Sequence, residues 1–218
     1  SNILLGTAGQ AQLADYGISG VDASGKSLSI TPKSAYKIHR APETASSTPV
    51  INPQTEIYQV GVTAFRLLNG ISLVKDDFQT LSEDEFNRLK GEGKLPRSSD
   101  YLPFIPQSLK TIINRALSVD TSKRFSTALE MRRRLERLAF PVNWTCDPSG
   151  EPLGVGARYE YRFSHVMTGK NEFTLDCYKK LIASGRETRV SDFCGKKLNK
   201  TKLNQLVSKF FKWTTTDG

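Results

Sequence analysis

The apolar residues of this chain change their spacing at Pro141, and that change limits the folds open to it. Before the proline they recur every three or four positions: Leu109, Ile112, Ile113 and Leu117 share one helical face, and Ala128, Met131, Leu135 and Leu138 step by three, four and three. Beyond it they alternate. Tyr159, Tyr161 and Phe163 fall on one side of a strand, Phe173, Leu175 and Cys177 on one side of the next, and Met167-Thr-Gly-Lys-Asn171 is the turn between them. Two periods call for two kinds of layer, so the expected class is α+β: a mostly helical body over 1–140 and a small basic β-hairpin and helix unit over 141–218. Charge shifts at the same place, with 13 Lys+Arg and 8 Asp+Glu in 141–218 against 18 and 14 in the longer first part.

Within the first part, Ile57, Val60, Phe65, Leu67 and Leu68 crowd a stretch that ends at Gly70, which predicts a helix buried on most sides. Ser82-Glu-Asp-Glu85 and Thr127-Ala-Leu-Glu130 have the spacing of capping boxes and mark two more helix starts. Ile3, Leu4 and Leu5, a turn bracketed by Gly6 and Gly9, and then Ala11, Leu13 and Ala14 predict an opening hairpin. Ile18 to Arg40 is rich in Ser, Gly and Lys without periodicity, and a connection of that length inside a domain is usually functional. In the tail, Leu198, Leu203, Leu206, Phe210 and Trp213 stand at helical spacing, with six lysines and no acid from Lys196 to Lys212.

Composition narrows the function classes. At 218 residues, 38% hydrophobic and 24% charged, the chain has material for one core and a second, smaller one, and is neither fibrous nor extensively disordered. Its excess of 31 basic over 22 acidic residues favours an acidic partner: a nucleotide, a nucleic acid or an anionic surface. Cys146, Cys177 and Cys194 form no C-x-x-C pair and leave one thiol over in any disulfide scheme, so a reducing, cytoplasmic setting is expected. Their steps of 31 and 17 residues are unlike those of a zinc finger completed by His165. No apolar run approaches the ~20 residues of a membrane span, and no membrane partner is expected.

One constellation carries chemistry. Asn2 precedes the predicted hairpin and Asp15 follows it, thirteen positions later, so its two ends can bring an amide oxygen and a carboxylate to one hard cation. "SNILL…LADYG" resembles the part of the eukaryotic-type protein kinase family that runs from the end of the catalytic loop through D-F-G. Further landmarks follow in order. "RAPE" at Arg40 to Glu43 is similar to the A-P-E that closes the activation segment, "TEIYQVGVTAF" to the start of the central buried helix, and "ALSVDTSKRFSTALEM" to the closing block with its arginine. The resemblance spans residues 1 to about 139 and implies a kinase C-lobe.

The family's chemistry is positioning and charge neutralisation around a transferred phosphoryl group, with ATP and Mg²⁺ as cofactors and a protein Ser/Thr hydroxyl as acceptor. On that resemblance Asn2 and Asp15 are the catalytic residues and metal ligands, and Gly17, which lets the backbone after them swing, joins them in binding the cofactor. The 23 residues between Gly17 and Ala41 are the activation segment, with Ser24, Ser27, Ser29, Thr31, Ser34 and Tyr36 as phosphate acceptors. Glu43 and Arg124 form a buried ion pair, and Glu56 supports the catalytic loop. Three positions depart from the family. Tyr16 replaces its usual Phe, Glu56 stands where it has Asp, and Tyr36 where a Ser/Thr kinase has Thr. His39, beside the A-P-E, reads as a packing or substrate-contact residue. The resemblance sets the catalytic base five residues ahead of Asn2 and the nucleotide-cradling N-lobe further upstream, so these residues alone are not expected to close around ATP. The alternative is a pseudokinase-like scaffold without catalysis. For the tail, a helix docked by its aromatic face, with lysines in solvent, stands beside a nucleic-acid surface in which Phe210, Phe211 and Trp213 stack bases.

Overall fold

The opening strands, β1 (Ile3–Leu5) and β2 (Ala11–Leu13), pair antiparallel with Ile3 opposite Leu13, Leu4 opposite Gln12 and Leu5 opposite Ala11. The computed structural model describes residues 3–7, 11–13, 37–45, 51–70, 72–102, 104–146 and 151–217. Two short 3₁₀ turns, Lys37–His39 and Pro42–Ala45, lead to the central helix α1 (Pro53–Asn69). Its start is fixed locally. Asn52 accepts from the Thr55 amide at 3.0 Å, Thr55 Oγ1 accepts from the Asn52 amide at 3.3 Å, and Pro53 follows the cap, where its missing N–H costs nothing. It ends at Gly70, whose φ of 103° suits a residue without a Cβ.

Four helices surround α1: α2 (Ser72–Thr80), α3 (Glu83–Gly91), α4 (Gln107–Ala116) and α5 (Ala128–Glu136). The residues of α1 face three different neighbours. Ile57 packs with Ile112, Ala116, Phe125 and Met131, Tyr58 and Val62 with Ala41, and Phe65 with Ile38, Val74, Phe86 and Ile113. Gly61 allows α4 to come close, since a Cβ there would lie 3.1 Å from Ala116 Cβ and 3.2 Å from Leu117 Cδ2. The remaining stripe of α1 is open. Val60 and Leu67 share it with Glu56 and are 52% and 70% exposed, so the helix is buried less completely than its apolar content predicts.

Beyond the helices lies a six-stranded antiparallel sheet: β3 (Val142–Cys146), β4 (Pro152–Gly156), β5 (Tyr159–Gly169), β6 (Glu172–Leu181), β7 (Glu187–Arg189) and β8 (Gly195–Leu198). The order is β3-β4-β5-β6-β7, with β8 also beside β6. The last helix, α6 (Lys200–Asp217), lays Leu203, Val207, Phe210 and Phe211 on one sheet face against Val142, Tyr161, Phe163, Leu175 and Cys177. Trp144 stands edge-on to Phe211 at 4.4 Å between ring centroids. Phe104, in the helical part, packs on both this core and the core around Phe65, and its ring centre is 5.4 Å from that of Phe211.

The α+β class agrees with the sequence, and several details do not. The alternating segments are the β5–β6 pair, but they are the middle of a sheet rather than a lone hairpin. The stretch from Lys197 is strand until Leu198, and the helix begins at Lys200. The stripe expected along α5 is half in solvent: Met131 is buried and Leu138, just past the helix end, packs on the same core, whereas Ala128 and Leu135 are exposed.

Candidate functional site

The described part of the site is the segment Lys37–Ala45 and the residues that hold it. Ile38 and Ala41 are buried, and Thr44 Oγ1 donates to the Ala41 carbonyl at 2.7 Å, closing the turn that carries Glu43. Arg124, whose side chain is fully shielded from solvent, meets that turn from the loop before α5. Its Nη1 donates to Glu43 Oε1 at 2.8 Å and its Nη2 to Glu43 Oε2 at 2.9 Å, a two-pronged match of guanidinium to carboxylate. The other donors are used as well. Nε reaches the Ser118 carbonyl at 2.7 Å, Nη1 also reaches that of Gln54 at 2.9 Å, and the guanidinium lies 4.8 Å from the centre of the Tyr58 ring.

Glu43 receives a third donor, Thr55 Oγ1, at 2.9 Å. Burial pushes its pKa up, but the hydrogen bonds from Arg124 and Thr55, with the Arg124 charge, outweigh that and hold the carboxyl below its usual range. It is therefore ionised at neutral pH.

A second tie comes from α3. Lys90, 2% exposed, donates from Nζ to the carbonyls of Ile38, at 3.2 Å, and Arg40, and lies 5.4 Å from the Tyr58 ring centre and 5.3 Å from that of Phe86. Burial, with the charge of Arg40, pushes its pKa down to about 7 against a smaller pull from Glu43. His39 points to α1, where its Nε2 lies 2.7 Å from Arg66 Nη1. A guanidinium only donates, so Nε2 accepts and Nδ1 carries the proton. Burial, then Arg66 and Lys90, pushes the His39 pKa down to about 4 and keeps the ring neutral. At the surface, Lys37 and Glu83 pair at 2.6 Å.

Of the residues that the sequence singles out, the structure brings Glu43 and Arg124 together and places Glu56 in solvent on the first turn of α1. Asn2, Asp15, Tyr16 and Gly17 lie outside the described residues, as do Ser24, Ser27, Ser29, Thr31, Ser34 and Tyr36. What is described there is the β1–β2 register, which joins Ile3, next in sequence to Asn2, to Leu13, two residues before Asp15. Among the described residues no three His, Cys, Asp or Glu side chains gather as a metal site, and Cys177 and Cys194 are free thiols. Lys90, Thr55 and Tyr58 were not foreseen. The one local signal was the Asn52-Pro-Gln-Thr55 cap, which sets the Thr55 hydroxyl beside Glu43.

A helical body that clamps a turn through a buried arginine, preceded by a short hairpin, defines a class of protein. Residues 1–134 match the protein kinase domain, and the chain belongs to the protein kinase family. The match ends ahead of the six-stranded sheet, and no curated protein matches the chain. Membership carries a kinase-like, group-transferring function with proteins as substrates.

Proposed function

We propose that the chain is the C-lobe part of an ATP- and Mg²⁺-dependent protein kinase acting on Ser or Thr hydroxyls, with a body over 1–140 and an accessory unit over 141–218. The observation that carries this reading is the Glu43–Arg124 pair, at 2.8 and 2.9 Å with every guanidinium nitrogen engaged. A buried ion pair of this completeness is kept where the position of a segment matters, and the segment here is the one that precedes α1. In the transfer, the terminal phosphoryl group of ATP leaves its bridging oxygen to ADP, and the acceptor hydroxyl oxygen bonds to phosphorus as its proton departs to a base.

Asn2 and Asp15 are the residues that would hold Mg²⁺. An amide oxygen and a carboxylate are hard donors that suit it, and the antiparallel β1–β2 register is the kind of rigid frame that can set their separation. When bound, the ion supplies neutralisation of phosphate charge. Gly17 would ease the chain past that site, and the segment up to Ala41 would present the substrate.

A second reading, a scaffold without catalysis, has one observation in its favour: Glu56, in place of the family's Asp, is exposed on α1. Transfer of radiolabelled γ-phosphate from ATP to a generic protein, by the full-length parent with Mg²⁺, separates the two. The proposal expects transfer that Asp15→Ala reduces at least ~100-fold. Absence of transfer, or transfer indifferent to Asp15→Ala, contradicts it.

A further inference from the structure

At one end of the sheet, three strands place residues in a row: Met167 of β5, Phe173 of β6 and Leu198 of β8 are successive partners. With about 4.8 Å between strands, Met167 lies roughly 10 Å from Leu198. Phe173 and Leu198 pack on the core, whereas Met167, on their face, and Val166, on the opposite face, are 67% and 63% exposed.

Lysines surround this tip. Lys170 is in the turn between β5 and β6, Lys196 and Lys197 are on β8, and Lys200 and Lys202 are on the first turn of α6, all exposed. Among the described residues none of the five forms an ion pair, in contrast to Lys180 and Arg189 further along the sheet, which pair with Glu160 and Asp176. Glu172 is the single acid of the turn, and no acid lies between Lys196 and Lys212.

We propose that, against the expectation of no membrane partner, which rested on the lack of a spanning segment, this end of the sheet is a peripheral docking surface for an anionic lipid bilayer. Val166 and Met167 enter the boundary between headgroups and acyl chains, and Lys170, Lys196, Lys197, Lys200 and Lys202 sit at the level of the lipid phosphates. Two adjacent apolar side chains at a protruding tip lose their contact with water there, and each lysine near an anionic leaflet adds attraction. Long lysine stems can lie along the apolar surface while the ammonium groups stay at the phosphates. A nucleic acid would gain nothing from the apolar pair. The aromatic rings that could stack bases are taken up elsewhere: Phe210 and Phe211 are buried, and Trp213 stacks on Phe210 at 5.8 Å. The surface is separate from the kinase-like body, so it holds or falls independently of the proposed catalysis.

The test is sedimentation of the full chain with phosphatidylcholine vesicles, with and without about 30% phosphatidylserine, in ~0.1 M salt. The chain should sediment with the anionic vesicles alone. Val166→Ser with Met167→Glu should weaken that binding at least ~tenfold. Lys196→Gln, Lys197→Gln, Lys200→Gln and Lys202→Gln together should weaken it by at least as much, and both variants should keep the circular dichroism of the parent, since every altered side chain is exposed. No binding to the anionic vesicles overturns the proposal, as does vesicle binding that the tip variant leaves intact. Binding of a duplex oligonucleotide without vesicle binding assigns the lysines to nucleic acid and overturns it as well.

Discussion

Arg124 and Glu43 are 81 residues apart in sequence and meet through two parallel hydrogen bonds of 2.8 and 2.9 Å. The pair joins the turn before α1 to the loop before α5, and the ring of Tyr58 lies beneath it. The arginine is fully buried while Glu43 keeps 22% of its side-chain surface, so the two partners do not stand to lose equally. Removing the carboxylate leaves a guanidinium in a dry site with only carbonyls and the Tyr58 ring around it.

Glu43→Ala should therefore destabilise the protein by about 3–5 kcal/mol, the cost of stranding a buried charge. Arg124→Met should lose a similar amount by leaving the carbonyls of Ser118 and Gln54 without their donor. The double variant should fall well short of the sum, because each change already removes the shared contact. Urea denaturation of the three variants measures this, and an unchanged midpoint for Glu43→Ala contradicts it.

Lys90 gives the fold a dependence on alkaline pH. Its pKa, about 7 in the folded protein against an ordinary 10.5, means that the unfolded chain binds more protons throughout that window. Stability attributable to the group is thus full above the unfolded value and is lost as pH falls toward 7. Between pH 7 and 9 the gain should be ~2 kcal/mol. Lys90→Met should be less stable than the parent at pH 9, with the carbonyls of Ile38 and Arg40 unmet, and should lack that part of the slope. Equal slopes for the two proteins in urea melts across this range would refute the assignment.

Gly154 leaves room for an indole. A Cβ at that position would lie 2.7 Å from Trp144 Cε2 and 2.8 Å from Cζ2, and Trp144 is itself held by Phe211, Tyr161 and Phe163. Gly154→Ala should cost about 1–3 kcal/mol and change the tryptophan emission. A variant with the parent's melting temperature and spectrum would show that the indole has other room.

How much of this was readable in advance depended on how local the cause was. The helices α1, α3 and α4 carry their signals within a dozen residues, as apolar periods, caps and glycine stops. Asn52-Pro-Gln-Thr55 is equally local but is not among the helix starts read from the sequence, although Asn52 and Thr55 form both halves of a cap. At Ser82-Glu-Asp-Glu85 only half of the box forms, because Arg88 draws the Glu85 carboxylate away. The strands β3, β4, β7 and β8 were missed because they are short and stabilised by neighbours in space, and because β4 and β8 also contain Gly or Pro. Helix α2 has neither a capping box nor a glycine stop in its sequence.

At the site, motif order pointed to Glu43 and Arg124, whereas nothing local separates Lys90 from the exposed Lys94. Its burial comes from the fold of Ile38 and Tyr58 around it. Gly154 is a further case, since the Gly154-Val-Gly156 spacing says nothing of the Trp144 ring that fills the gap.

The long reach between Glu43 and Arg124 also sets an order of events at birth. As the chain leaves the ribosome, the turn at Ala41 emerges some eighty residues before the arginine that will clasp it. Until then it can be held only by nearer neighbours such as Lys90, so this stretch is expected to be among the last of the helical part to reach its final place.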